Sequence, residues 1–272
     1  MHLYSYELPW RKESRKGLIL QIGENFGEIA PLPGFSKETL EEALAEILAW
    51  MRTQTPPTLP SVRWGIACAQ RPLQSVRIPL CALGPKPGFQ TVKLKLGSLS
   101  VEEAIRITRK YYRSFRLRLD CNRAWTLEQT LAFVSHFKKG DFDYLEEPVN
   151  TFEGLIEFSK KTHFPIAIDE SIGSDWSQIP SLKAVVVKPM VVGTIPEIPP
   201  PLELVLSSSY ESGLGLLHIA NRAKGRLPVG LDTLLPSDLL MNPISTSSGW
   251  FSWEASNPSI DGSKCLLQVG AF

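Results

Sequence analysis

The 272-residue sequence lacks any run of the ~18 apolar residues that a membrane-spanning helix needs. Its opening, MHLYSYELPWRKESRKG, carries charges throughout and reads as neither a span nor a signal peptide. Net charge is nearly absent as well. Lys and Arg number 29 against 28 Asp and Glu, a formal +1. No basic stripe interleaved with aromatics occurs, so neither nucleic acid nor a membrane is an expected partner. Cysteine is scarce. Cys68, Cys81, Cys121 and Cys265 are scattered with no CxxC, which argues for reduced, buried thiols in a cytoplasmic protein. GxGxxG, P-loop, HExxH and GxSxG are missing from any supporting context. The four histidines, His2, His136, His163 and His218, all lie away from the predicted strand ends.

What is present is an ordinary globular composition, 43% hydrophobic and 21% charged, enough for a large core. The first 50 residues read as strand, strand, helix. KGLILQIG is a buried-type run, NFGEIAPLPGFS is punctuated as a loop, and the helix over 36–51 has Ser36 or Thr39 near its N-cap. TPPTLPS (55–61) is a linker. From residue 75 to 233 short apolar strands mostly alternate with amphipathic segments. There are eight strand candidates: SVRIPLCAL, TVKLKLG, FRLRLD, DYLEEPV, PIAIDES, KAVVVKPM, LELVLSSSY and VGLDT. Such alternation predicts an α/β fold with a parallel sheet, here a (β/α)8-type barrel. GPKPGFQ and VVGTIPEIPPP leave no room for helices, the latter because of Pro199, Pro200 and Pro201, so about two outer helices are expected to be shortened or missing. The reading is an N-terminal α+β domain over 1–74, the barrel over 75–235, and a tail over 236–272 that packs back on either.

In such a barrel the site lies at the C-terminal strand ends. Side chains alternate along a strand, so Lys93 and Lys95 point the same way, as do Arg118, Asp120 and, by extension, Asn122. Because Val92, Leu94 and Leu96 face the helices, the lysines must face the barrel interior. Acids from strands three, four and five can converge on one point: Asp120, Glu146 or Glu147, and Asp169. Bare, they would repel one another; with a divalent cation they make an oxygen-only site. Lys188 ends strand six, Ser207, Ser208 and Ser209 end strand seven, and Asp232-Thr233 ends strand eight.

The stretches GEIAPLPGFSKETLEEA, PSVRWGIACA, VKLKLG, LRLDCNRAW, YLEEPV, AIDES, VVVKP, LSSSYESGLGL and GLDT resemble the enolase superfamily, and within it the o-succinylbenzoate synthase family. The resemblance implies a capping domain whose IAPLPGFS loop covers the substrate. It implies Mg²⁺, with Mn²⁺ as a substitute, held by Asp120, Glu146 and Asp169. The implied reaction is a carbon–oxygen lyase step in menaquinone or phylloquinone synthesis. A succinyl-hydroxycyclohexadiene carboxylate loses water through a metal-stabilised enediolate and becomes o-succinylbenzoate. Lys95 would be the base, Lys188 would stabilise the intermediate from the opposite face, and Lys93 would keep Lys95 deprotonated. Arg118, Asn122, Ser207, Ser208 and Ser209 would hold the substrate's polar groups. The partner is a small carboxylate, and the protein is a monomer or homodimer. Two other readings compete. One is an N-acylamino acid racemase or dipeptide epimerase using the same lysine pair, although GLDT is not the strand-eight ending such enzymes usually show. The other is a non-catalytic binding barrel, disfavoured because three buried acids without a metal are costly.

Overall fold

A computed structural model describes residues 1–223, 227–235, 238–254, 258–263 and 267–271. Strands β1 (His2–Trp10) and β2 (Glu13–Ile22) pair antiparallel from His2↔Gln21 to Trp10↔Glu13 and turn on Arg11 and Lys12 alone. β3 (Asn25–Ile29) pairs with β2. The stretch NFGEIAPLPGFS is therefore not loop throughout. Its first five residues are a strand, and Gly27 serves close packing there rather than a turn. A Cβ at Gly27 would lie 2.0 Å from the Gly65 carbonyl oxygen.

Two helices cover this sheet. Thr39 caps α1 (Leu40–Thr53): its hydroxyl accepts the Glu42 N–H, and the Glu42 carboxylate accepts the Thr39 N–H. That reciprocal pair decides between Ser36 and Thr39. α2 (Pro60–Ala69) opens on a proline, where a missing N–H costs nothing. Leu18, Leu20, Ile29, Ile47, Trp50 and Val62 fill the space between helices and sheet.

β4 (Val76–Pro79) and β5 (Ala82–Leu83) divide the first expected barrel strand. Then follow β6 (Thr91–Lys95), α3 (Val101–Tyr111), β7 (Arg116–Asp120), α4 (Leu127–Val134), β8 (Tyr144–Glu146), α5 (Phe152–Thr162), β9 (Ile166–Ile168), β10 (Leu182–Val187), α6 (Pro189–Val192), β11 (Glu203–Leu206) and α7 (Gly213–Ala220). β5 to β11 form one curled parallel sheet in chain order. No helix joins β5 to β6, two 3-10 turns join β9 to β10, and α6 is a single turn ahead of the proline loop.

The eighth strand expected over 229–233 is not a strand. Val229 bridges Leu80 and Gly230 bridges Ser207, each singly. These two bridges still join the sheet's edges. Gly230 N–H donates to Leu206 O at 2.8 Å and Cys81 N–H donates to Val229 O at 2.9 Å. The pairing stops at Asp232, whose carboxylate accepts the Leu83 N–H and the Lys86 ammonium instead. After residue 235, β12 (Trp250–Trp253) pairs with β4, and β13 (Leu267–Ala271) pairs with β1.

Strand alternation sorts the side chains. Val92, Leu94, Leu117, Leu119, Leu145, Ile168 and Val185 pack against the helices. Each such buried side chain contributes about 1.5–3 kcal/mol. Tyr144, Ala167, Ala184, Val186 and Val205 form a separate cluster inside the curl. Cys68, Cys81 and Cys121 are free and buried, while Cys265 lies outside the described residues. Among the described residues no helix is long and apolar enough to cross a membrane.

Candidate active site

Strand register arranges the polar residues in rows. Lys95 stands beside Asp120 and Asp120 beside Glu146, across β6, β7 and β8; one row below are Lys93, Arg118 and Tyr144. On β10 the same parity takes Ala184 and Val186 inward and leads on to Lys188, as Ala167 on β9 leads to Asp169. Below the charged rim the inner face therefore carries Arg118 and Tyr144 on β7 and β8 and small apolar residues on β9 to β11.

Asp120, Glu146 and Asp169 are 2%, 1% and 6% exposed. Two ammonium groups lie among them. Lys93 Nζ is 2.8 Å from Asp120 Oδ2 and 2.7 Å from Glu146 Oε1, and Lys188 Nζ donates to Asp169 Oδ2. Burial pushes the Glu146 carboxyl up to about 7; Lys93 opposes this, while Asp120 and Asp169 add to it. Burial would raise Asp120 too, but Lys93 and Lys95 outweigh it and hold that carboxyl low. For Lys93 the order reverses: burial favours the neutral amine, yet Glu146 and Asp120 keep it protonated well past its usual range. Lys188 is raised in the same way by Asp169. Three buried carboxylates with no nitrogen or sulfur donor suit a hard divalent cation in kind, and their mutual repulsion calls for added positive charge. As the side chains stand, the acids turn to the lysines, and the described residues hold no ready-made cluster of three ligands.

Lys95 is different. Its side chain is 53% exposed; Nζ sits 3.6 Å from Asp120 Oδ2 and donates to Asn122 Oδ1 at 3.4 Å. Asn122 adopts a left-handed φ of 46° and its N–H donates to Asp120 Oδ1 at 3.0 Å. That turn aims the asparagine amide back at the lysine.

Arg118, expected to hold a polar group of the substrate, is largely engaged below the rim, although its Nη2 is buried without a hydrogen-bond partner among the described residues. It is buried, its Nε donates to Asp143 Oδ2 at 3.3 Å, and its Nη1 donates to Pro228 O at 2.7 Å. Asp143 precedes β8, so the guanidinium leans toward the N-terminal end of the sheet, opposite to the rim. There it shares Asp143 with Arg116 and Lys183. The serines are engaged by their own framework. Ser207 Oγ donates to Gly230 O at 3.2 Å, Ser208 Oγ and Thr233 Oγ1 are 2.5 Å apart, and Ser209 Oγ donates to Glu211 Oε1 at 2.6 Å. Ser207 alone of the three stays partly exposed.

One candidate ligand turns out to serve the framework, and one residue escaped sequence reading. Glu147, at φ 42°, turns away from the rim and accepts the N–H groups of Asp169 and Ser171 and the Ser171 hydroxyl. It thereby fixes the backbone that carries Asp169. Its signal was the doubled acid in EEP: opposite parity puts the second one in the helix-facing layer, where it must find donors. Phe35, from the loop after β3, lies over Lys188 with Nζ 4.3 Å from the ring centre. Two grooves lie outside this rim, one of about 940 Å³ along Gly193–Pro200 and one of about 860 Å³ between the β1–β2 turn and the 31–41 loop.

Comparison with known proteins bears on this geometry. The family described as "Enolase C-terminal domain-like" matches residues 83–192, and "MenC, N-terminal domain" matches residues 1–73. An o-succinylbenzoate synthase from Klebsiella pneumoniae is 36% identical over 284 residues, covering 86% of this chain and 88% of that protein. The chain belongs to the o-succinylbenzoate synthase family. Another o-succinylbenzoate synthase, from Haemophilus influenzae, is 32% identical over 293 residues, covering 86% and 89%. Among solved structures, an o-succinylbenzoate synthase from Thermosynechococcus elongatus, described as complexed with Mg in the active site, superposes with a TM-score of 0.65 at 22% identity, covering 85% and 91%. A dipeptide epimerase from Enterococcus faecalis, complexed with Mg and a dipeptide, gives 0.74 at 18% identity over 94% and 97%. The fold is thus common to synthases and epimerases, and it is sequence identity that sets the o-succinylbenzoate synthase family apart here.

Proposed function

We propose that this chain is a synthase like its relatives, a hydro-lyase that converts 2-succinyl-6-hydroxy-2,4-cyclohexadiene-1-carboxylate to 2-succinylbenzoate in menaquinone or phylloquinone synthesis. The observation that carries this reading is the row Lys95, Asp120, Glu146 on adjacent strands with Lys188 directly after β10, in a chain 36% identical to a named synthase. Lys95 takes the proton next to the substrate carboxylate and returns one to the departing hydroxyl, so water leaves and the ring becomes aromatic. Asn122 Oδ1 and Asp120 Oδ2 orient that amine at the open rim. Lys188, fixed by Asp169 and covered by Phe35, offers an ammonium to the negative charge that develops when the proton departs. Lys93, one row below, places a second ammonium near the carboxylate. Asp120, Glu146 and Asp169 are the residues that would hold Mg²⁺ or Mn²⁺, whose charge beside the substrate carboxylate lowers the cost of removing the adjacent proton. Asn122 and Ser207 are the proposed contacts to the substrate's polar groups, with Ser208 and Ser209 shaping the loop between them and α7.

The reading also takes the protein as cytoplasmic, which its free buried thiols support, and as a monomer or homodimer. Incubation with the cyclohexadiene substrate and Mg²⁺, followed by ultraviolet absorbance, should show the benzoate product. Lys95→Ala should lower the rate by about 10²–10⁴. Lack of Mg²⁺-dependent product would overturn the synthase reading, and α-proton exchange of N-acylamino acids in D₂O without dehydration would favour the racemase.

A further inference from the structure

We infer that Arg15 is a positioning residue: its guanidinium holds the loop that covers Lys188 in register with the serine loop that follows β11. Arg15 lies on β2 and is 1% exposed. Burying a guanidinium is costly unless its donors are filled. Here Nε donates to Tyr210 O at 3.0 Å, Nη1 donates to Pro31 O at 2.9 Å and Lys16 O at 3.1 Å, and Nη2 donates to Ala30 O at 2.5 Å. Every acceptor is a main-chain carbonyl, and among the described residues Arg15 makes no ion pair within 4.0 Å. What it fixes is therefore where two backbones lie.

Those backbones lead to the proposed site from opposite sides. From Ala30–Pro31 the chain makes one turn, in which Leu32 O accepts the N–H groups of Phe35 and Ser36, and this sets Phe35 over Lys188. The far end of that loop is tied by Glu38, which accepts the Ser61 N–H at 2.8 Å. Tyr210 directly follows Ser207, Ser208 and Ser209, and it takes a left-handed φ of 60° that turns its carbonyl to Arg15. One planar fork thus sets the spacing between the aromatic cover and the serine loop. A lysine would keep the charge, but a single ammonium cannot span carbonyls from both loops in that fixed plane.

The inference rests on Lys188 and the serine loop being parts of the active site, but its first test does not need activity. Native full-length Arg15→Lys and Arg15→Met are digested briefly with trypsin and the peptides mapped. Cleavage after exposed Lys37, in the covering segment, should speed up by about tenfold or more through local opening, with cleavage after Lys160 and Lys161 on α5 unchanged. In turnover assays KM for the cyclohexadiene substrate should rise by about tenfold while kcat falls less, the sign of lost ground-state positioning. Equal acceleration at all three lysines would reveal general loosening and overturn the proposal. So would a folded Arg15→Lys variant with unchanged Lys37 cleavage and KM, or failure of both variants to fold, which would make Arg15 a folding residue. A selective Lys37 effect in a chain without synthase activity would leave the clip standing and remove only the reading of function.

Discussion

Substitutions at Glu147 separate hydrogen-bond geometry from charge. The side chain is fully buried. Its Oε1 accepts the Asp169 N–H at 2.9 Å and the Ser171 N–H at 2.7 Å, and its Oε2 accepts the Ser171 hydroxyl at 2.8 Å. Both backbone donors converge on one oxygen, so glutamine can reproduce the set. Its carbonyl takes both N–H groups, and its amide donates to the Ser171 hydroxyl, which rotates to accept. Only the charge assistance goes, a cost of about 1–2 kcal/mol. Glu147→Ala instead orphans two N–H groups and a hydroxyl at about 1–3 kcal/mol each, or about 3–9 kcal/mol together before any cavity is counted. At about 2–4 °C per kcal/mol for a chain of this size, Glu147→Gln should lower Tm by a few degrees and Glu147→Ala by about ten or more. Activity should follow the same order, because the backbone released is the one that carries Asp169. Glu147→Gln should keep kcat within about threefold and Glu147→Ala should lose about a hundredfold, as expected when a charged group drifts from its working position. Thermal melts by circular dichroism and steady-state rates check both. If glutamine damages the protein as much as alanine, the carboxylate acts through its charge and the geometric argument fails.

At Glu28 the same exchange should have the opposite outcome. Its Oε1 accepts the Tyr6 hydroxyl and the Ser212 N–H, and its Oε2 accepts the Ser212 hydroxyl and the Gly215 N–H. Either orientation of Glu28→Gln therefore aims an NH₂ at a backbone N–H, at about 3 kcal/mol; a Tm drop below about 2 °C would contradict this. His218 donates through Nε2 to Phe26 O, and burial, aided by Arg222, pushes its pKa down to about 3. The unfolded chain then takes up the proton first, so stability present above pH 6.5 is lost as pH falls toward 3, about 2 kcal/mol of it by pH 5. Glu146, shifted upward, has the opposite slope, so the difference in Tm against pH between wild type and His218→Gln isolates the histidine; parallel curves would refute its assignment as neutral.

Period-2 alternation made much of the barrel legible. KLK, LRLD, EEP and VVVK each show which residues face inward, and their order along the chain gives the order of strands in a parallel sheet. Lys95, Asp120 and Glu146 emerged as a row for that reason. The last strand did not, because VGLDT has the composition of a strand but Asp232 takes the Leu83 N–H and Lys86 instead of continuing the pairing. NFGEI was hidden by Gly27, whose role is the approach of α2. Arg15, Glu28 and His218 join segments more than 180 residues apart, and no local pattern announces such contacts.

Parity also leaves height along the strand undetermined, and Arg118 is the case in point. It shares its inward face with Asp120, yet it stands one row lower, and its long side chain bends toward Asp143 rather than up to the rim. Lys93 sits in the same row and makes the other choice, rising to Asp120 and Glu146. The difference is electrostatic. Asp143, already held by Arg116 and Lys183 at the lower end, offers a guanidinium a buried partner there, whereas the upper end presents three acids whose repulsion is relieved by each added cation. Two inward cations from one row are thus drawn to opposite ends of the curl, one to Asp143 at the foot of the strands and one to the acids of the rim. The partition depends on where the acids lie on neighbouring strands, which neither cation's own sequence context contains.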